Sequence, residues 1–158
     1  ILQKYGEELK KYHLREEKIL GLVGLVRFPR DNISILHSAV LMSYLTFMFE
    51  IAENPIYSEP AWGVTANILF RKCPSMQFDT CYAKTGGGED VDFALRYSSY
   101  SEDLKLKTCP SAEVEHLFWS ENLSALCYHF FFWAVGDSAL FERLLETLRK
   151  QNFVKHYI

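Results

Sequence analysis

Apolar residues recur along the chain with two different periods, and the changes between them mark out its elements. Leu2, Tyr5, Leu9 and Tyr12 fall on one helical stripe, and Lys4–Glu8 and Glu7–Lys11 are i,i+4 pairs, so the chain opens in a helix. The unbroken run Ile-Leu-Gly-Leu-Val-Gly-Leu-Val over 19–26 has no polar face and reads as a strand buried on both sides. Arg27-Phe28-Pro29-Arg30-Asp31-Asn32 ends it. A helix predicted over 33–52 carries Leu36, Val40, Tyr44, Phe47 and Ile51 on one face and Leu41, Leu45 and Phe49 on another. Such a helix packs on several sides, or else faces a partner or a membrane. A membrane span needs ~20 mostly apolar residues, and Ser34, His37, Ser38, Ser43, Thr46 and Glu50 interrupt this one.

Asn54-Pro55 and Glu59-Pro60 mark a loop, followed by a strand over 64–70 that the Cys73-Pro74 corner ends. Gly86-Gly87-Gly88 leads into a helix over 89–97. Short strands are predicted over 104–108 and 113–116. The last third reads as a helix over 123–135, a break at Gly136-Asp137-Ser138, and an amphipathic helix over 139–150 with Leu140, Leu144 and Leu148 inward. This alternation predicts an α/β fold, with the 19–26 and 64–70 strands in one mixed sheet flanked by helices.

The 158 residues suit one domain, or a large piece of one. Net charge is -3 and the basic residues are scattered, which argues against nucleic-acid binding. Cys73, Cys81, Cys109 and Cys127 show no C-x-x-C spacing, so a zinc ribbon has no support. Their even number permits two disulfides, but a chain with this much core does not need them, and four reduced thiols are the favoured reading. The helical pattern is already under way at Ile1, with no basic n-region or cleavage site before it. The expectation is therefore a piece cut from a longer protein, with its compartment left open.

Candidate chemistry concentrates in Thr85-Gly86-Gly87-Gly88-Glu89-Asp90-Val91-Asp92-Phe93-Ala94-Leu95-Arg96. Glycines let the backbone approach a ligand closely, and Glu89 and Asp90 follow in the first turn of a helix. There the helix dipole favours negative charge, so both acids are expected to be ionised at neutral pH. An ionised carboxylate on such a loop can take a proton from a sugar hydroxyl. Acidic residues in a first turn are also ordinary helix stabilisers, and Asp92–Arg96 is an ordinary i,i+4 pair.

The run Gly-Gly-Gly-Glu-Asp-Val-Asp-Phe-x-x-Arg resembles the Glu-Asp motif region of family 2 glycosyltransferases. Upstream, the stretch from Pro60 through Trp62, Gly63 and Asn67 to Lys72 resembles the strand that precedes this motif in that family, and Phe78-Asp79 matches the Phe-Asp between the two. Downstream, Pro110-Ser111-Ala112-Glu113-Val114-Glu115-His116 resembles its Pro-x-Ala-x-Val-x-His strand. The ordered set covers residues 62–119.

The resemblance implies a partial GT-A domain (Rossmann-like, of the nucleotide-diphospho-sugar transferase type), with residues 1–158 as its carboxyl-terminal, acceptor-side part. It implies Asp90 as catalytic base with Glu89 beside it, and His116 as a ligand of a divalent metal, Mn or Mg. Trp62, Asn67, Gly87 and Gly88 would meet the acceptor. His116 shares a strand face with Ala112 and Val114, where a ligand or a core histidine would equally sit. Trp62 is a stacking platform for a sugar or a buried core residue. The implied partners are a nucleotide-sugar donor and a glycan, lipid or protein hydroxyl acceptor, with peripheral membrane contact allowed.

Two departures stand out. Phe132-Trp133 occupies the place of the Arg-Trp pair of membrane-bound polysaccharide synthases, which argues against a processive polymerase. The Asp-x-Asp of the nucleotide half is not in this chain, so that half is expected upstream of Ile1. One rival reading is a non-catalytic glycan-binding or scaffold module of the same fold. Another is a metal-dependent hydrolase built on Glu89, Asp90 and His116, disfavoured because His13, His37, His129 and His156 fall on unrelated predicted elements.

Overall fold

The apolar run at 19–26 forms β1 (Ile19–Arg27), the centre of a three-stranded sheet. A strand paired on both edges and apolar on both faces belongs in the interior, and β1 is buried from Ile19 to Val26. β2 (Ile68–Phe70) pairs antiparallel with it, Val23 opposite Ile68, and β3 (Lys105–Glu115) pairs parallel on the other edge. The structure, a computed structural model, describes residues 1–31, 33–43, 45–82, 86–100 and 103–150, with the backbone alone for 146–150. Tyr44, Thr85, His156 and the side chain of Leu148 therefore lie outside the described residues. Within them the helices are α1 (Leu2–Leu14), α2 (Ile35–Met42), α3 (Glu89–Ser99) and α4 (Leu123–Lys150). The fold is mixed α/β, as the alternating pattern predicted.

β1 feeds separate core clusters. Leu20 and Val23 join Phe93, Ala94 and Tyr97 of α3, while Ile19 and Leu22 join Tyr5 of α1 and Cys109 and Ala112 of β3. The spacing of three in each pair, where a regular strand gives two, coincides with the register irregularity between Ile19 and Gly21. α1 is anchored by its tyrosines, since Leu2 and Leu9 of the same stripe are exposed. Its ion pairs form at i,i+3, Lys4–Glu7 and Glu8–Lys11, in place of the expected i,i+4 pairs.

Six predicted elements take a different form. The helix expected over 33–52 is only α2, capped by the Ser34 hydroxyl accepting from the His37 amide. Short 3-10 turns follow at Phe47–Phe49, Ile51–Glu53 and Pro55–Tyr57. An all-round apolar rod cannot bury every face in one direction. Breaking it sends Phe49 into a cluster with Val26, Phe28 and Val64, and Ile51 into the one with Leu20 and Phe93. The strand expected over 64–70 begins as a 3-10 turn, Thr65–Asn67. The two strands expected near 104–116 are one, β3. Its register jumps from Gly24 opposite Cys109 to Leu25 opposite Glu113, a bulge that accommodates Pro110, which has no amide hydrogen to donate. The break expected at Gly136 is absent and α4 runs through it. Among the described residues, no helix is long and apolar enough to cross a membrane.

At that bulge Asn67, only 5% exposed, ties the layers together. Its amide donates to the carbonyls of Leu25 (2.9 Å) and Ala112 (2.7 Å), and its side-chain oxygen accepts from the Tyr5 hydroxyl (2.8 Å). The knot requires glycine at 24, where a Cβ would come within 2.5 Å of the Tyr5 hydroxyl and 2.6 Å of the Ala112 carbonyl. Removing the amide strands its buried partners, so Asn67→Ala should cost about 2–4 kcal/mol of unfolding free energy and Tyr5→Phe about 1 kcal/mol. Urea unfolding checks both values. Equal, near-zero losses would show that the knot does not hold the sheet.

Candidate functional site

A cleft of ≈ 440 Å³ opens where the start of α3, the segment after β3 and the middle of α4 converge. Asp90 and Glu89 reach it from the first turn of α3, His116 and Trp119 from the end of β3, and His129, Trp133 and Asp137 from α4. Trp62 and Thr65 border it from the segment before β2, and Phe47 and Phe49 from the turn after α2. The elements are close because the glycine loop is close to α4. Gly88 caps α3 in the left-handed region, φ +84, where side chains are strained. A Cβ there would also come within 2.9 Å of the Gly136 carbonyl, and one at Gly87 within 2.8 Å of the Trp133 Cα. The glycines thus serve first to press this loop onto α4.

Asp90 is half-buried at the base of the cleft. Burial, reinforced by the neighbouring Glu89, pushes its carboxyl up to about 6, against the opposing pull of backbone hydrogen bonds from Val91 (2.9 Å) and Thr65. The helix dipole was expected to govern this acid; desolvation outweighs it. The carboxylate is still mostly ionised at pH 7, yet its pKa of about 6 lies close to neutral pH. Asp92, two residues on, has a different fate. Buried to 5% exposure, it accepts from Arg96 at 2.8 Å and lies 3.6 Å from Arg143 of α4. Asp79 binds the same Arg143 at 2.8 Å, and its carboxyl is held down at about 2 by the Cys81 amide and that guanidinium.

His116 is half-buried and borders the same cleft as Asp90. Its Nδ1 lies 2.6 Å from the Leu117 carbonyl, and because a carbonyl only accepts, Nδ1 carries the proton. In the neutral ring this tautomer puts the lone pair on Nε2, the arrangement in which histidine commonly binds a metal ion. The residue therefore fits the ligand role as a single donor. Among the described residues, no group of three or more metal-ligating side chains clusters.

The other expected contacts divide. Trp62, Gly87 and Gly88 line the cleft. Asn67 does not: its hydrogen bonds are spent in the sheet knot, and it is a structural residue where an acceptor contact was expected. His129, expected on an unrelated element, lines the cleft instead. Burial, with His116 nearby, lowers its proton affinity. The signal for it was present in the sequence: residues 129, 133 and 137 are spaced by four, one face of a helix, but the predicted break at Gly136 hid the stripe. Trp119 and Phe49 were missed as well. Trp119 packs against Trp133 with ring centroids 5.0 Å apart, and Phe49 packs against Trp133 at 6.4 Å. The four cysteines are free thiols, and only Cys109 among them is buried.

An acid whose folded pKa is raised makes the fold less stable once it ionises. The penalty is absent below the unfolded value near 3.8 and complete above about 6. Asp90→Asn keeps an oxygen to accept from Val91 and should leave stability nearly unchanged at pH 3, below the unfolded value. At pH 8 it should raise stability by about 1–3 kcal/mol. Urea unfolding at the two pH values tests this, and carbon-detected NMR of the Asp90 carboxyl should give a midpoint near 6.

Compared with family models, curated proteins and solved structures, the chain matches none of them.

Proposed function

We propose that this chain is the acceptor side of an inverting glycosyltransferase of GT-A type, with Asp90 as the base. The observation that carries the reading is the placement of Asp90. A carboxylate with a proton affinity raised to about 6 opens into an aromatic-walled cleft that His116 also borders. The resemblance of residues 62–119 to family 2 glycosyltransferases adds to it. So does the division of labour between the two aspartates, one facing the cleft and one committed to Arg96.

The chemistry follows from this placement. An acceptor hydroxyl on the cleft side of Asp90 gives up its proton to the carboxylate as its oxygen attacks the anomeric carbon of a nucleotide-sugar donor. The bond to the diphosphate breaks on the opposite face, so the configuration inverts, through a transition state with oxocarbenium character. A base works best when its pKa lies near the working pH, which is what burial does for Asp90. A divalent Mn or Mg ion, when bound, neutralises charge developing on the diphosphate; His116 is the residue of this chain that would hold it, through Nε2. The aromatic walls exclude water that would otherwise compete as acceptor. The nucleotide is assigned to residues outside this chain. Phe132, where the polysaccharide synthases carry Arg, supports a single transfer over processive polymerisation.

A non-catalytic glycan-binding module would use the same aromatic cleft and differ only in what Asp90 does. In the complete protein, Asp90→Asn should lower turnover by ~100-fold or more with donor binding little changed. Asp92→Asn should mainly lower stability, because it breaks the buried pair with Arg96. Sugar transfer measured with labelled donor decides. Full turnover in Asp90→Asn, or its loss in a folded Asp92→Asn, would sink the assignment.

A further inference from the structure

The cleft takes up one face of α4, and the opposite face is apolar and exposed. At 100° per residue, Leu123, Tyr128, Phe131, Val135 and Phe141 fall within an arc of roughly 140°. All of them are exposed, the three aromatic rings to 65%, 60% and 62%. Ala134 and Ser138, also exposed, lie between them near the midline of the arc. On the far side of the helix, Leu126, Gly136 and Leu140 are buried, and His129 and Trp133 line the cleft. From Leu123 to Phe141 the only acidic or basic side chain besides His129 is Asp137, which belongs to the cleft lining. The outer face is thus an uncharged strip ~27 Å long. Monomeric proteins rarely expose so large a continuous apolar surface unless something covers it.

The pattern on the strip favours one kind of partner. Helices that lie on lipid carry lysine and arginine beside their apolar face, and no lysine or arginine occurs from Thr108 to Glu142. The strip does match itself. When two copies are set antiparallel about the level of Gly136, Ala134 falls opposite Ser138 and Phe131 opposite Phe141. Small residues then meet at the crossing point, with an aromatic pair on either side. A two-fold contact requires this reciprocity, each residue meeting its counterpart's partner in both directions. The hydroxyl at the crossing is already satisfied, since Ser138 Oγ donates to the Ala134 carbonyl of its own helix at 2.8 Å. Burying it leaves no polar group unpaired. An aromatic side chain can bury ~200 Å², so the exposed fractions along the strip offer roughly 600 Å², the lower end of what each partner of a stable pair contributes.

We propose that the outer face of α4 is a self-association surface, on which a second copy of this chain packs its own α4 antiparallel about a two-fold axis at the level of Gly136. Pairing is independent of the reaction proposed above. It gives the two faces of α4 separate duties, one towards the cleft and one towards the partner copy.

The test is sedimentation velocity of the whole chain from nanomolar to submillimolar concentration. The unaltered chain should show a monomer–dimer equilibrium with a micromolar dissociation constant, in keeping with an interface of this size. Phe131→Glu sets a carboxylate against Phe141 at both ends of the pair and should weaken it about a hundredfold. Phe141→Lys should do the same. Both side chains are exposed in the single chain, so each variant should keep its fold, which circular dichroism checks. Combining Phe131→Glu with Phe141→Lys brings opposite charges together across the axis. That double variant should dimerise about tenfold or more tightly than either single one, which only the antiparallel register allows. A chain that stays monomeric throughout overturns the assignment, as does a dimer that neither single substitution weakens. Equal weakness in the double and single variants refutes the two-fold pairing. A monomer that instead binds vesicles of phosphatidylcholine, alone or with phosphatidylserine, assigns the face to a membrane and also defeats it.

Discussion

The hydrogen bonds around Asn67 set the geometry on which the rest of the molecule depends. β1 and β3 run parallel, but β3 carries Pro110 and a bulge where the ladder would otherwise continue. The carbonyls of Leu25 and Ala112 would be left without donors there, and the Asn67 amide supplies them. Gly24 makes room, and the Tyr5 hydroxyl closes the arrangement from α1. Because Asn67 ends the turn that begins at Thr65, fixing its side chain also fixes Thr65, whose backbone bonds Asp90. A constraint in the centre of the sheet is thereby transmitted to the floor of the cleft.

The cleft itself records a contest between two electrostatic effects at one helix end. The dipole of α3 and nearby backbone amides favour an ionised Asp90; the aromatic enclosure and the charge of Glu89 oppose it, and the enclosure wins. Asp79 shows the opposite balance at the other side of the loop. Its carboxyl is met by an amide and a guanidinium, so it is held strongly acidic. Three aspartates within fourteen residues thus take three roles: a half-buried acid open to the cleft, a buried ion-pair partner, and a surface clamp on α4. Their surroundings separate them, not their residue type.

Much of this was legible in the sequence where one residue type had only one physical outcome. An apolar run without a polar face became the central strand, and an acid four residues before an arginine became its partner. Asp90 and His116 were placed by pattern on separate elements, and the fold brings them to one cleft. What escaped were features decided by tertiary contacts. Nothing local distinguishes Asn67 as a sheet tie from an exposed asparagine. The helix over 33–52 is broken because its apolar residues belong to different clusters, which a one-dimensional pattern does not report. Gly136 reads locally as a stop, but in the fold α4 runs through it and its carbonyl lies against the loop at Gly88, where a Cβ would come within 2.9 Å. That misreading concealed the alignment of His129, Trp133 and Asp137.

The unbroken path of α4 has a consequence for how such a site changes over time. The half-buried acid Asp90 sits on α3, whereas much of the cleft wall sits on one face of α4. The two helices meet at glycines and at the Arg143 bridge to Asp79 and Asp92. Substitutions on that one face can therefore alter which shapes enter while the acid, its enclosing turn and the sheet beneath it stay as they are. The shape of the cleft and the surroundings of its acid are separately heritable in this arrangement. New cleft shapes can be tried along a single helix without rebuilding the fold that holds the acid.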